Sequence, residues 1–280
     1  MQNINQIIPT YDIVFITFDT LRYDIATELL SQNRTPNLAK VLPNNWEKRH
    51  SPGSFTYASH QAFFAGFLPT PVTPGIHPRL FALKFPGSTS TTEKTCVLEG
   101  ENIVKGLSRK GYHTVCIGGV GFFNKQNPLS NVIPSMFAES YWNQELGVTE
   151  PKSTENQIVL AQKILNKTPQ NQRLFLFINI SALHQPNYFY LEGAKTDTLE
   201  THAAALEYID SQLGKLWDAL QKRASTFCIL TSDHGTTYGE DGYTGHRISH
   251  PVVWTVPYGE FVLNPNANHT DTHWGLQTPS

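Results

Sequence analysis

A chain of 280 residues in which 39 % are hydrophobic and only 16 % charged can bury a core of its own, which excludes disorder over most of its length. Its 21 Lys and Arg stand against 23 Asp and Glu for a net charge of −2, so the basic field that a phosphate backbone requires is missing and no nucleic-acid partner is expected. The first apolar run, 13–18, falls far short of the roughly 20 residues of a membrane span, and no basic leader with a long apolar stretch precedes it.

The expectation is a soluble, cytoplasmic protein without a membrane partner, folded as one domain over residues 1–263 with a polar tail over 264–280. Three cysteines, Cys96, Cys116 and Cys228, lack CxxC spacing, so neither a disulfide framework nor a cysteine metal site is indicated.

In chain order, DIVFITF (12–18) is β-branched and aromatic throughout and reads as a buried strand that delivers Asp19 at its end. The stretch SPGSFTYASHQAFFAGFLP (51–69) is a turn-rich entry into a short helix over 59–65, with the hydroxyls of Ser54, Thr56 and Ser59 at or just before its N-terminus. Backbone N–H groups there favour an anion, while Ser59 or Thr56 serves equally as a helix cap. Residues 67–95, rich in Pro, Gly, Ser and Thr, form an irregular surface segment. A helix over 99–110 and a strand over 113–117 follow, then a strand over 173–180. Leu206, Ile209, Leu213, Leu216, Trp217 and Leu220 mark one apolar stripe of a helix of about twenty residues, which leads into a strand over 225–231.

Strands separated by helices imply an α/β fold, a mostly parallel β-sheet sandwiched by helices. Such sheets bind ligands outside the carboxyl ends of their strands, where Asp19, His184, Asp233 and His234 all fall. Two carboxylates with imidazole nitrogen suit zinc or manganese better than calcium. The glycines of 118–121 lack the spacing of a phosphate loop and read as a turn, Arg22 and Asp24 as a structural ion pair, and Trp46, Trp142 and Trp217 as core.

Four separated motifs then carry a resemblance: FDTLRYD (18–24), TYASHQAFFAGFLP (56–69), HQP (184–186), and the block ALEYIDSQLGKLWDALQKRASTFCILTSDHG (205–235) followed by GHRISHPVVWTVP (245–257). The sequence resembles the sulfatase-like metal-dependent hydrolases of the alkaline phosphatase superfamily over about 12 to 258. The resemblance implies that superfamily's core without a large C-terminal subdomain. It implies that Asp19, Asp233 and His234 hold a divalent cation, that Thr56 is the nucleophile and a further ligand, and that His184 and His246 point at the transferred group or the leaving oxygen. His60, His250 and Ser59 join His184 and His246 as expected substrate-binding donors.

The sequence also departs from the family pattern. Sulfatases need a Cys or Ser that becomes formylglycine, and position 56 is threonine; their segment G-Y-x-T-x-x-x-G-K-x-H reads GYHTVCIGGVG (111–121), so its Lys and His are Gly119 and Gly121; their Asp-Asp pair is Asp19-Thr20. All three changes point from sulfate toward phosphoryl chemistry. The D-x-x-x-H pair of two-metal relatives is missing, since Ile180 and Tyr188 stand in its place, so one ion of zinc or manganese is the simpler expectation. The expected activity is phosphoric-ester hydrolysis or phosphoryl transfer on a small-molecule or modified-peptide ester through a phospho-threonine. Phosphodiester or phosphonate hydrolysis, a sulfatase-like esterase and a non-catalytic metal-binding scaffold are the alternatives.

Overall fold

The run DIVFITF is a strand over its full length, β1 (Asp12–Phe18), in the computed structural model, which describes residues 4–66 and 102–265. It is joined by β2 (Glu47–His50), β3 (His113–Ile117), β4 (Glu139–Tyr141), β5 (Leu174–Ile180) and β6 (Thr226–Ser232). A two-stranded ribbon, β7 (Thr237–Tyr238) and β8 (Thr244–Gly245), precedes the last strand, β9 (Thr255–Leu263). Seven strands of the described residues form one sheet in the order β2-β9-β6-β1-β5-β3-β4. The run from β6 to β4 is parallel, whereas β9 is antiparallel to both β6 and β2. The sheet is thus mixed, with the parallel part in its centre as the sequence pattern requires.

The described helices are α1 (Ile4–Ile7), α2 (Tyr23–Ser31), α3 (Pro36–Ala39), α4 (Thr56–Ala65), α5 (Ile103–Arg109), α6 (Pro128–Val132), α7 (Ser153–Lys167), α8 (Leu199–Arg223) and α9 (Pro251–Trp254). Side chains alternate across β1 because the strand period is two. Val14, Ile16 and Phe18 face an aliphatic layer built by α2, α3, α7 and α8, while Ile13 and Phe15 face an aromatic layer that includes Tyr57 and Phe64 of α4 and Leu107 of α5. The expected stripe of α8 is fully buried from Leu206 to Leu220. The helix begins at a capping box in which the Thr198 hydroxyl accepts from the Thr201 N–H and the Thr201 hydroxyl accepts from the Thr198 N–H.

The predicted strands shift by at most one residue at either end, and α5 follows an Asn102 cap and ends at Arg109, one residue before the predicted end. Residues 67–95, the start of the predicted 99–110 helix and Cys96 lie outside the described residues, as does the tail from 266. Cys116 and Cys228 are buried free thiols. Among the described residues no helix is long and apolar enough to cross a membrane.

Candidate active site

Because β1 and β6 are parallel neighbours with Phe18 opposite Ser232, Asp19 and Asp233 leave the sheet side by side at its carboxyl end. Asp19, Asp233 and His234 are 0 % exposed, and one ligand atom from each lies within 4.8 Å of the others. Asp233 Oδ1 accepts the N–H of Thr20 at 3.2 Å and of His234 at 3.0 Å. Asp19 Oδ2 accepts from the Thr56 hydroxyl at 3.2 Å and the Asn179 amide at 3.4 Å. The other oxygens, Asp19 Oδ1 and Asp233 Oδ2, are buried with no hydrogen-bond partner among the described residues.

Such orphaned carboxylate oxygens are costly unless a cation satisfies them. Burial pushes both carboxyls up to about 7, and for Asp19 the neighbouring Asp233 charge adds to it. His234 completes the set: its Nδ1 donates to the Gly235 carbonyl at 2.9 Å, which leaves the Nε2 lone pair directed at the carboxylates, 3.4 Å from Asp233 Oδ2. Two orphaned oxygens and one imidazole lone pair fit a divalent cation, and the nitrogen donor favours zinc or manganese. Gly235 is fixed by packing, since a Cβ there would lie 2.1 Å from the Val252 carbonyl oxygen.

Helix α4 starts at Thr56, three residues earlier than predicted, with Phe55 at the cap position and no side-chain cap bond. The Thr56 hydroxyl therefore sits on the first turn, 3.2 Å from Asp19 Oδ2 and 3.3 Å from His234 Nε2. This earlier start turns Ser59 and His60 inward. Ser59, expected to bind substrate or cap the helix, is 0 % exposed and donates its hydroxyl to the Asp233 carbonyl at 2.7 Å. His60, also expected to bind substrate, is fully buried under the site among the rings of Phe63, Phe64, Phe123 and Phe177, and burial pushes it down to about 3, so it is neutral. His250 caps α9 by accepting the Val252 N–H on Nδ1 and points Nε2 at Asp241, 3.1 Å away. These three side chains are committed to the framework.

His184 and His246 stand differently. Their rings are 5.7 Å apart, and the His246 ring is 4.5 Å from that of His234. Both are partly exposed, so they stand between solvent and the buried cluster that His246 packs against. His184 Nδ1 donates to the Gln185 carbonyl at 2.6 Å, which leaves the lone pair on Nε2. Burial pushes His246 down to about 3, with His234, His184 and Arg247 adding to it.

With this geometry in place, comparison with known proteins becomes informative: the sulfatase family pattern matches residues 11–266, nearly the whole chain. The chain belongs to the sulfatase family. No curated protein sequence matches it significantly. Among solved structures it is similar to the C-terminal periplasmic domain of a phosphoethanolamine transferase from Campylobacter jejuni, at 17% identity over 90% of this chain and 80% of that one, with a TM-score of 0.61. It is similar to the C-terminal periplasmic domain of EcEptC from Escherichia coli in complex with Zn, at 13% identity over 92% and 73% of the two chains, TM-score 0.62. A member of the alkaline phosphatase superfamily from Vibrio parahaemolyticus matches at 17% identity over 92% and 60%, TM-score 0.56. The fold is that superfamily's core.

Within the sulfatase family the chain's departures acquire physical causes. Gly119 stands where the family pattern has lysine, and a Cβ there would lie 2.4 Å from the Asn179 carbonyl oxygen and 2.7 Å from Ser181 Cβ. No lysine fits that position without moving β5. Two site residues, Asn179 and Arg247, escaped the sequence reading, and Arg22 does more than its pattern showed. Asn179, the penultimate residue of β5, reads as part of an apolar run, yet its amide reaches Asp19. Arg22 is nearly buried and bonds Asp24 through Nε at 3.0 Å and Nη2 at 2.6 Å, as expected, but it also pairs with Glu240 and the Thr236 carbonyl. It thereby ties the loop after β1 to the loop after β6. Arg247, exposed beside His246 with φ 70°, stacks over Phe55 with its guanidinium 6.0 Å from the ring centre.

Proposed function

We propose that this sulfatase-family chain is a metal-dependent phosphoric-ester hydrolase or phosphoryl transferase whose nucleophile is Thr56. One observation carries the reading: the Thr56 hydroxyl, at the first turn of α4, lies within 3.3 Å of both Asp19 Oδ2 and His234 Nε2, at the edge of a cation-ready cluster. A divalent cation held by Asp19, Asp233, His234 and Thr56 would lower the hydroxyl pKa and offset charge on the transferred group. Thr56 Oγ1 gives up its proton to solvent and attacks phosphorus in line, the bond from phosphorus to the ester oxygen breaks on the opposite side, that oxygen takes a proton from water, and a phospho-threonine forms. Its resolution by water gives hydrolysis, and by an alcohol gives transfer.

His246 is neutral near pH 7 and so supplies a hydrogen bond to the leaving or nonbridging oxygens instead of a full charge. His184 flanks the same oxygens from the other wall. Threonine at position 56 and glycine at 119 and 121 support phosphoryl over sulfate chemistry, because no formylglycine forms from threonine and no cation stands at 119 or 121. Transfer of phosphoethanolamine, for which the Campylobacter neighbour is named, agrees with this preference. A small-molecule or modified-peptide ester in the cytoplasm is the substrate we infer, although the named neighbours are periplasmic domains.

The test is turnover of wild type and Thr56→Ala on an aryl phosphate monoester, a phosphate diester and a sulfate ester, each with zinc or manganese. Metal-dependent cleavage of a phosphate ester that disappears in the variant is expected. Cleavage of the sulfate ester alone, or full activity of the variant, overturns the reading.

A further inference from the structure

The polar atoms beneath the site close into a ring. Asn179 gives one amide hydrogen to Asp19 Oδ2 at 3.4 Å and the other to the Thr17 hydroxyl oxygen at 3.3 Å. The Thr17 hydroxyl lies 2.9 Å from His60 Nε2, His60 Nδ1 lies 2.7 Å from the Thr56 carbonyl, and the Thr56 hydroxyl returns to Asp19 Oδ2 at 3.2 Å. Thr17 and Asn179 are directly opposite each other in the β1–β5 register, on the face that carries the aromatic layer. All five residues are at most 2 % exposed, so water does not compete for these bonds.

One bond from outside the ring orients the amide of Asn179, and the protons of Thr17 and His60 follow from it. The Val120 N–H bonds Asn179 Oδ1 at 3.1 Å, so the amide nitrogen must face Asp19 and Thr17. Thr17, accepting from that nitrogen, has its single hydroxyl hydrogen left for His60 Nε2. His60 must then carry its proton on Nδ1, where the Thr56 carbonyl accepts it. The opposite tautomer would set the Nδ1 lone pair against the Thr56 carbonyl oxygen at 2.7 Å, two acceptors face to face in a buried site.

We infer that Thr17 and His60 are positioning residues: through this ring they fix the spacing between the Thr56 hydroxyl and Asp19, and neither touches substrate. The inference rests on the reading of Thr56 as nucleophile for its kinetic consequence, but not for its structural one. Buried hydrogen-bond partners of metal-site residues typically contribute about 10- to 100-fold to affinity or activity.

The first experiment is nitrogen NMR of histidine-labelled protein, with the His60 signals assigned by their loss in His60→Gln. A neutral imidazole protonated on Nδ1 is expected in wild type; protonation on Nε2 overturns the ring. The second compares Thr17→Val, which keeps shape and removes the hydroxyl, with Thr17→Ser, which restores it. Thr17→Val is expected to lower kcat about 10-fold with KM within about twofold, and Thr17→Ser to recover most of it. A Thr17→Val kcat within twofold of wild type, or equal losses in both variants, overturns the positioning role. Should wild type turn over no ester, the proposed function fails while the tautomer still decides the ring. Manganese affinity then replaces kcat as the second readout, expected to be about 10-fold weaker in Thr17→Val and unchanged if the ring does not position Asp19.

Discussion

The floor and the mouth of the site are built in opposite ways. On the floor, Asp19, Asp233, His234 and Thr56 are sealed from solvent, and each has a second atom held by backbone or by a buried side chain. At the mouth, His184, His246 and Arg247 are partly or fully exposed, and the last two stand on a segment whose backbone turns through positive φ at Gly245 and Arg247. A rigid floor sets the reaction, because attack and charge stabilisation need fixed distances. An open mouth sets what is bound there.

The comparison breaks most visibly if floor and mouth substitutions cost the same. Thr56→Ala is expected to lower turnover by about a thousandfold or more while the circular-dichroism melt stays near wild type. Asp233→Asn should do the same and also abolish stoichiometric zinc or manganese in a metal assay of the purified protein. At the mouth, His246→Ala is expected to cost about 100-fold on an ester with a poor leaving group and less on an activated aryl ester. Equal losses on both esters would remove His246 from the leaving-group side.

A smaller effect separates the two regions by pH. Asp19 and Asp233 both have folded-state pKa values raised to about 7 from 3.8. In the metal-free protein the folded state therefore holds protons that the unfolded chain releases, so this stability is fully present below about pH 4 and is lost as pH rises through about 7. A bound cation takes the place of those protons. Chelated protein should melt lower at about pH 8 than at about pH 5.5, and zinc or manganese should raise Tm more at the higher pH. An equal rise at both pH values would mean that the cation does not meet these carboxylates. The smallest effect belongs to Ser59→Ala, expected to lower stability by about 1 kcal/mol through its lost bond to the Asp233 carbonyl, read in a urea titration, with the metal retained.

Asp19, Asp233 and His234 were legible because each follows an apolar run that could only be a buried strand, and parallel strands bring such ends together. Thr56 was legible through the family resemblance alone. The inward direction of Ser59 and His60 was not legible because it depends on where α4 begins, and a start at Thr56 without a side-chain cap leaves no signal in composition. Asn179 was hidden inside LFLFINI, where a single polar residue does not disturb the apolar pattern. The edge of the sheet was invisible for another reason. β2 is the fully exposed EKRH, and β9 contains Pro257 and Gly259, both poor strand residues. Pro257 lies opposite Lys48, and Gly259 lets the Leu42 side chain pack close, its Cδ2 2.5 Å from where a Cβ would lie.

The antiparallel direction of β9 has a consequence for how such a protein can change. Since β6 runs out of the sheet toward the site and β9 runs back from the same end, residues 233–254 leave and re-enter the framework at one rim. That stretch bears Asp233 and His234 at its root and His246 and Arg247 farther along. Beyond the root, Glu240 is tied to Arg22 and His250 caps α9, so length and composition can change between those two ties while the strands on either side keep their register. New specificities can be acquired there while the chemistry beneath is inherited intact.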